Sequence, residues 1–582
     1  MATPFRTDAC TVLVIGSGAA GMRAAIAAHE AGEHVRVVGK RPRLDAHTVL
    51  ASGGINAALA TRDPEDTWEQ HFADTVREGY YLSDPSVVEI MAREAPRTIL
   101  ELADWGCEFA RTEDGSLDQR FFGAHRYRRT CYAGDFTGRA ILRTLHRRAD
   151  AIGVPAVVED QYVSHLFVAD GVCFGALTFD LHSGERMVHL ADAVVLCTGG
   201  HTRLWRRSSS RRDENYGEGW ALALRAGCRL MDPELVQFHP TGMVWPEDLA
   251  GTLVTEAVRG EGGRLYNAGG ERFMERYDPD RLELSSRDRV ALANYTEIAE
   301  GRAGPNGGVL LDITHRGKDY ILEKLPRMYR QFIEHQMLDI SAEPMEVAPT
   351  AHYSMGGVVC DHETYATDVA GLYAAGEVTG GLHGANRLGG NSLAEAVNAG
   401  RRAGEAAAAF TASGEVIVRS RQTIRTALDE LDELTKPGPE LPRPMQRRLR
   451  DVMWEKCGVV RDEPGLLAAI EELSELRRAT DNADVRPGAE GWSDLANLLD
   501  LRAGIMAAEA TLRCAVERRE TRGAHNRTDF PEMDPDLRVN FHASLSDERI
   551  AVTSQPAPPI PIELAALLRE HRDLSLTDRL LE

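Results

Sequence analysis

The sequence predicts an α/β chain: a Rossmann-like FAD-binding domain, an inserted α+β capping domain and a C-terminal helical domain. Three observations lead there. The apolar run Thr11-Val12-Leu13-Val14-Ile15 leads into Gly16-Ser17-Gly18-Ala19-Ala20-Gly21 and then an alanine-rich stretch over 22–31, the strand, turn and helix that a dinucleotide fingerprint requires. Apolar strand-like runs ending at glycines return at 193–200 and 371–377, on either side of a mixed, Arg- and Gly-rich region at 241–350. From 415 to 525, Leu, Ala, Glu and Arg recur at helical spacing, interrupted at Lys436-Pro437-Gly438-Pro439.

In the fingerprint, Gly16 allows the tight turn, Gly18 the approach of backbone to a pyrophosphate, and Gly21 close packing of helix on strand. Ala19 and Ala20 open the helix, whose free N–H groups hold phosphate. The next strand, 34–39, ends in Val38-Gly39-Lys40 with no carboxylate for a ribose hydroxyl, which favours a permanently held FAD over a freely exchanging NAD. His47 lies 26 positions past Gly21, beside Thr48 and ahead of Gly53-Gly54, and a histidine there can be joined covalently to a flavin. The run 162–168 reads as β-structure, and the strand at 371–377 ends on Glu377. Ser392-Leu393-Ala394-Glu395 reads as a capping box heading a long helix, whose positive end suits a flavin edge that becomes anionic on reduction.

The expected division is therefore 1–240 and 351–412 for the two parts of the FAD-binding domain, 241–350 for the capping domain, 413–535 for the helical domain and 536–582 for a tail. The tail reads as extended at 554–561, followed by a short helix over 563–571.

Composition narrows the function. With 67 basic against 89 acidic residues the net charge is −22, which argues against nucleic acid as a partner. An anionic substrate must then be drawn in by local arginines. The nine cysteines are scattered without a CxxC, so neither an iron–sulfur cluster nor any other metal centre is expected within the chain. No signal peptide and no 18-residue apolar span is expected.

Four clusters pair reactive side chains with glycines: Gln237-Phe238-His239-Pro240-Thr241-Gly242, Thr255-Glu256-Ala257-Val258-Arg259-Gly260-Glu261-Gly262-Gly263, His352-Tyr353-Ser354-Met355-Gly356-Gly357, and His383-Gly384-Ala385-Asn386-Arg387-Leu388-Gly389-Gly390-Asn391-Ser392-Leu393. With the fingerprint, with Arg120-Phe121-Phe122-Gly123 and with Arg522-Gly523-Ala524-His525, these resemble the flavoprotein subunit of the succinate dehydrogenase and fumarate reductase family, from about residue 10 to 535.

The resemblance implies covalent attachment of FAD through His47, with Glu218, Glu377, Ser392 and Leu393 completing its site. It implies His239, Thr255, His352 and Arg387 as ligands of a C4 dicarboxylate, His239 with Thr255 at one end and His352 with Arg387 at the other. Phe122 would press on the substrate's central carbons. Arg287 would carry the proton, connected to solvent by Glu256 and Arg259. Two departures stand out: Ser52 occupies a place where many relatives carry Gln or Glu, and Glu218 replaces the more usual Asp.

The reaction implied is succinate–fumarate interconversion by hydride transfer. Electrons would pass to a separate iron–sulfur subunit and then to a membrane anchor with quinone, the chain lying peripherally on the cytoplasmic face of a bacterial inner membrane. The alternative is L-aspartate oxidase, a relative that shares several of these motifs but binds FAD without a covalent bond. His47 and Gly389-Gly390 favour the dehydrogenase.

Overall fold

The computed structural model describes residues 4–486 and 491–569. Its centre is a parallel four-stranded sheet in the order Leu372–Ala374, Ala193–Leu196, Val12–Ile15, Val35–Val38. These short strands are almost wholly buried because helices cover the sheet, which explains their continuous Val, Leu and Ile content. Helix Ala19–Glu30 packs on helix Asn391–Ala412 through small residues. A Cβ on Gly400 would stand 2.3 Å from the carbonyl oxygen of Ala20, so the two backbones touch at a distance only glycine allows.

A second sheet runs Phe5–Ala9, Arg186–Leu190, Val172–Asp180, Gln161–Ala169. Its first strand lies ahead of the expected first strand at residue 11. Phe5–Ala9 is an exposed edge paired with residues some 180 positions away, so it carries no apolar period of its own.

The inserted part is an antiparallel sheet in the order Val236–Met243, Met345–Ser354, Val309–Asp312, Arg264–Tyr266, with helices that include Arg287–Ala299 and Pro326–Gln336. The expected divisions at 240/241 and 350/351 therefore fall inside strands. Each of these two strands starts or ends in the nucleotide-binding part and continues without a break into the inserted sheet.

Four helices, Arg421–Glu433, Pro442–Lys456, Glu463–Thr480 and Ser493–Glu517, follow the long helix, with the break at Lys436–Pro439 between the first two. Residues 536–569 are not a trailing tail. Val539–Ser546 and Arg549–Pro556 form a hairpin that extends a sheet with Leu230–Met231 and Gly357–Val358. The final helix is Ile562–Arg569, and the rest of the span expected for it lies outside the described residues. Among the described residues no helix is long and apolar enough to cross a membrane.

Candidate active site

All four strands of the parallel sheet deliver their carboxyl ends to one cavity. Gly16 follows Ile15, Lys40 follows Val38, Cys197 to Gly199 follow Leu196, and Ala375 to Glu377 follow Ala374. Ligands of open α/β sheets bind at such a crevice. Of the residues singled out from sequence, Gly16, Gly18, Ala19, Ala20, Lys40, His47, Thr48, Gly53, Gly54, Phe122, Glu218, His239, Thr255, Glu256, Arg287, His352, Glu377, Arg387, Ser392 and Leu393 all line it. Gly21 and Arg259 stand behind the wall.

The cavity's nucleotide end is built on the fingerprint. Gly16 has φ +115°, and a Cβ there would lie 2.1 Å from the carbonyl oxygen of Cys197. Gly21 packs its helix onto the turn, where a Cβ would come within 1.8 Å of the Gly16 oxygen. Thr48 Oγ1 accepts from the Ala19 N–H at 3.1 Å, which ties the histidine-bearing segment to the start of the first helix. Lys40 donates to Glu218 at 2.9 Å and to Asp500 of the helical domain at 2.8 Å. Burial disfavours its charge, but the two carboxylates outweigh burial and keep Lys40 protonated. The other Glu218 oxygen accepts from the Tyr216 N–H at 2.8 Å, so Glu218 is fixed from both sides.

The long helix begins differently from its expected capping box. Gly390, at φ +88°, precedes the first turn, and no side chain caps it. Glu395 turns away to accept from the Tyr353 hydroxyl at 2.5 Å, and it pairs with His383 at 2.9 Å. The helix start therefore keeps free N–H groups beside Ser392 and Leu393, which suits an anionic ligand edge.

His47 sits in a single 3-10 turn, His47–Leu50, with Nδ1 2.8 Å from Glu214 Oε1. Burial alone would hold the imidazole below its ordinary pKa, but the Glu214 carboxylate overrides burial and raises it. Glu214, for which burial acts upward, is nonetheless brought down to about 2 by His47 and by the backbone and guanidinium of Arg211. With Nδ1 engaged, Nε2 is the ring nitrogen left to meet a ligand.

At the other end, the two imidazoles assigned to opposite ends of the substrate sit ring against ring, centroids 5.2 Å apart and 67° inclined. His352 Nδ1 meets Ser209 Oγ at 2.9 Å, and His239 Nδ1 meets the backbone and hydroxyl of Thr241. Burial first, then neighbouring cations, hold both well below the ordinary histidine range. Arg387 lies over the Tyr353 ring at 4.3 Å, and its buried Nε has no hydrogen-bond partner. Burial and nearby Arg287 lower Arg387 to about 10. A guanidinium that lines the cavity with an unused donor suits an anionic ligand.

Arg287 donates through Nε to Glu256 at 2.7 Å and through Nη1 to Gln237 Oε1 at 3.0 Å. The same Gln237 oxygen accepts from Arg387 Nη2 at 3.0 Å, bridging the two guanidiniums. Glu256 resists burial and is lowered to about 2 by Arg287 and Arg259. Arg259 lies 3.8 Å behind Glu256, is fully buried, and donates to the Glu283 carbonyl at 2.6 Å. Glu283 in turn meets the partly exposed Arg272 at 2.6 Å. Arg259 reaches the backbone carbonyl of Glu283 and Arg272 its carboxylate, so these contacts brace Arg259 without forming one continuous side-chain path. Phe122 is buried with its ring over Gly53, where a Cβ would come within 2.6 Å of it.

Glu214, Gln237, Asp500 and Ser209 were not assigned from sequence. Gln237 stood in a quoted cluster, and only its acceptor position between two arginines reveals its use. The others sit in unremarkable polar or helical surroundings and gave no signal.

A family model described as FAD binding domain matches residues 11–393, and one described as fumarate reductase flavoprotein C-term matches residues 446–557, past the end of the resemblance expected from sequence. The chain is 38% identical to the fumarate reductase flavoprotein of Mycobacterium tuberculosis strain H37Rv, over 90% of this chain and 92% of that one. Its fold matches Mycobacterium smegmatis Sdh1, solved in complex with UQ1, with TM-score 0.89 and 38% identity over 99% of this chain and 98% of that one. Escherichia coli quinol fumarate reductase FrdA matches with TM-score 0.90 and 32% identity, over 95% and 97%.

Proposed function

The chain belongs to the succinate dehydrogenase/fumarate reductase flavoprotein family, and we propose that it interconverts succinate and fumarate as the flavoprotein subunit of a succinate:quinone oxidoreductase. The observation that carries this reading is one cavity holding the His47–Glu214 pair at one side and, at the other, Arg387 with an unused buried donor beside Arg287 clamped to Glu256.

His47 Nε2 would hold FAD, which when bound would supply two-electron hydride chemistry. The chain's own residues do the rest. His239, Thr255, His352 and Arg387 hold the two carboxylates, with Arg387 making the bidentate contact. Holding both ends fixes the central carbons beside Phe122, and such alignment is worth several kcal/mol of the barrier, about 7 or more at the upper end. Arg287 gives its proton to the substrate carbon in fumarate reduction and takes one in succinate oxidation. A guanidinium must be neutral to accept, so Glu256 and Arg259 exchange its proton with solvent.

The nine cysteines are all unpaired, and no group of them has metal-binding spacing in the sequence. By the chain's likeness to the family, electrons leave to a separate iron–sulfur subunit and a quinone-binding membrane anchor. The chain lies peripherally on the cytoplasmic face of a bacterial inner membrane.

Turnover of succinate and fumarate by the purified complex with an artificial electron acceptor tests the activity. On a denaturing gel under ultraviolet light after acid treatment, yellow-green fluorescence travelling with the polypeptide supports the covalent bond, and His47→Ser abolishes the band while native protein still holds FAD. Aspartate oxidation with no fluorescent band would instead identify an L-aspartate oxidase.

A further inference from the structure

The helix Pro326–Gln336 joins the two halves of the cavity, although Arg327 and Gln331, the residues that make the join, were not singled out in the sequence. At its first turn the Arg327 N–H donates to Asp135 Oδ2 at 2.9 Å, and Arg327 Nη1 donates to Ser52 Oγ at 2.8 Å. Ser52 and Asp135 are both buried, and Ser52 lines the cavity in the segment that begins at His47. The Ser52 hydroxyl donates to the Leu50 carbonyl at 3.2 Å, which leaves its lone pairs for the guanidinium. One turn further, Gln331 Nε2 donates to the Leu253 carbonyl at 3.2 Å. Leu253 also lines the cavity, two residues before Thr255. One short helix is thus bonded on one side to the His47 segment and on the other to the segment carrying Thr255 and Glu256.

We propose that Arg327 is a positioning residue for the dicarboxylate reaction: through Ser52 it holds the substrate-binding segment in register with the flavin segment, and its charge favours the reduced flavin. The short Ser52 hydroxyl does not itself reach the inserted part, and Arg327 comes to it. Arg327 stands one side chain behind the cavity wall, and a positive charge there stabilises an anionic reduced ring over the neutral oxidised one, so it raises the flavin potential. The same nitrogen, Nη1, donates to Ser52 and to the Asp135 backbone carbonyl, 3.4 Å away. This inference rests on the proposed dicarboxylate activity for its kinetic part and only on FAD binding for its redox part.

The test uses the FAD-loaded complex with Arg327→Gln, Arg327→Lys, Ser52→Ala, the double variant Ser52→Ala/Arg327→Gln, and Arg330→Ala as an exposed control on the same helix. Flavin midpoint potential, KM, kcat and Tm are measured for each. Arg327→Gln should lower the potential and raise the dicarboxylate KM about tenfold, the effect of losing one charge-assisted hydrogen bond. Arg327→Lys should keep most of the potential but not the KM. Ser52→Ala should raise KM with little change in potential, and the double variant should have no higher KM than Arg327→Gln. Unchanged potential and KM in Arg327→Gln, or KM effects that multiply in the double variant, would overturn the proposal. Failure of the wild-type complex to turn over dicarboxylate would instead count against the proposed function, and the potential would still test the charge.

Discussion

Replacing Glu214 with Gln separates the two functions of the His47 environment, tethering and orientation. The Glu214 carboxyl is brought from its ordinary 4.5 to about 2, a preference for the ionised form of about 3 kcal/mol at about 1.4 kcal/mol per tenfold. Burial works against that preference. His47 is the largest contributor in its favour, ahead of Arg211. Assigning about half to His47 leaves about 1.5 kcal/mol, or roughly tenfold, acting on the imidazole. Its sense is to place the proton on Nδ1 and the lone pair on Nε2, the nucleophile for attachment. Apoprotein is mixed with FAD and sampled over time, and covalent fluorescence is read on the denatured chain. Glu214→Gln should attach FAD about tenfold more slowly at neutral pH. Because Glu214 raises the His47 pKa, the attachment rate of wild type falls as pH drops through that raised value, and in Glu214→Gln the fall should move to lower pH. Wild-type rates together with an unmoved pH midpoint would refute the reasoning.

Arg287→Gln should reduce dicarboxylate turnover about a thousandfold while leaving the covalent band intact, as removal of a proton carrier does. Glu256→Gln should cost less, about ten- to a hundredfold, with a shifted pH–rate profile, because the acceptor for Arg287 changes from a charged to a neutral group. Gly390→Ala places a Cβ 2.2 Å from the buried Asn56 Oδ1 at φ +88°, so a loss of about 2–4 kcal/mol in stability and weaker FAD retention should appear in thermal unfolding and flavin content. Glu214 and Glu256 have depressed folded pKa values, so the stability they contribute is full above about 4.5 and lost as pH falls toward about 2. Glu214→Gln should flatten acid unfolding in that window.

The parts legible in the sequence are those set by local rules. A glycine turn after an apolar strand dictates its own geometry, so Gly16 to Gly21 could be placed with no tertiary information. The hairpin Val539–Ser546 and Arg549–Pro556 was missed because its turn, Asp547-Glu548, takes positive φ at both residues without the usual Asn-Gly or Asp-Gly signal. The capping box failed for a different reason. Tertiary partners Tyr353 and His383 claimed Glu395, and a glycine took the cap position. The site's catalytic side chains were legible as clusters, but their supports were not. Glu214 reaches His47 across 167 positions and Asp500 reaches Lys40 across 460, distances over which no sequence period carries information.

The remaining support for the substrate pocket is electrostatic, and it can be tested without any turnover. His239 and His352 are neutral because burial and then the surrounding cations oppose their charging. In the same cavity Arg287, Arg259 and Arg387 are balanced locally by Glu256, with an Arg387 donor left unused. A dianionic ligand brings two negative charges against this excess. It cancels this excess at both imidazoles, so their pKa values rise on binding and protons are taken up from solvent. Titrating the protein with malonate by calorimetry, in buffers of different ionisation enthalpy, reads that uptake directly. It should be positive at pH 6 and shrink toward zero as pH rises above the bound-state values, and malonate affinity should fall over the same range. His239→Gln should remove part of the uptake and Arg330→Ala none. Binding with no proton uptake from pH 5.5 to 8 would mean that the dianion does not meet these two rings, and the placement of the carboxylates argued from Arg387 and its neighbours would be wrong.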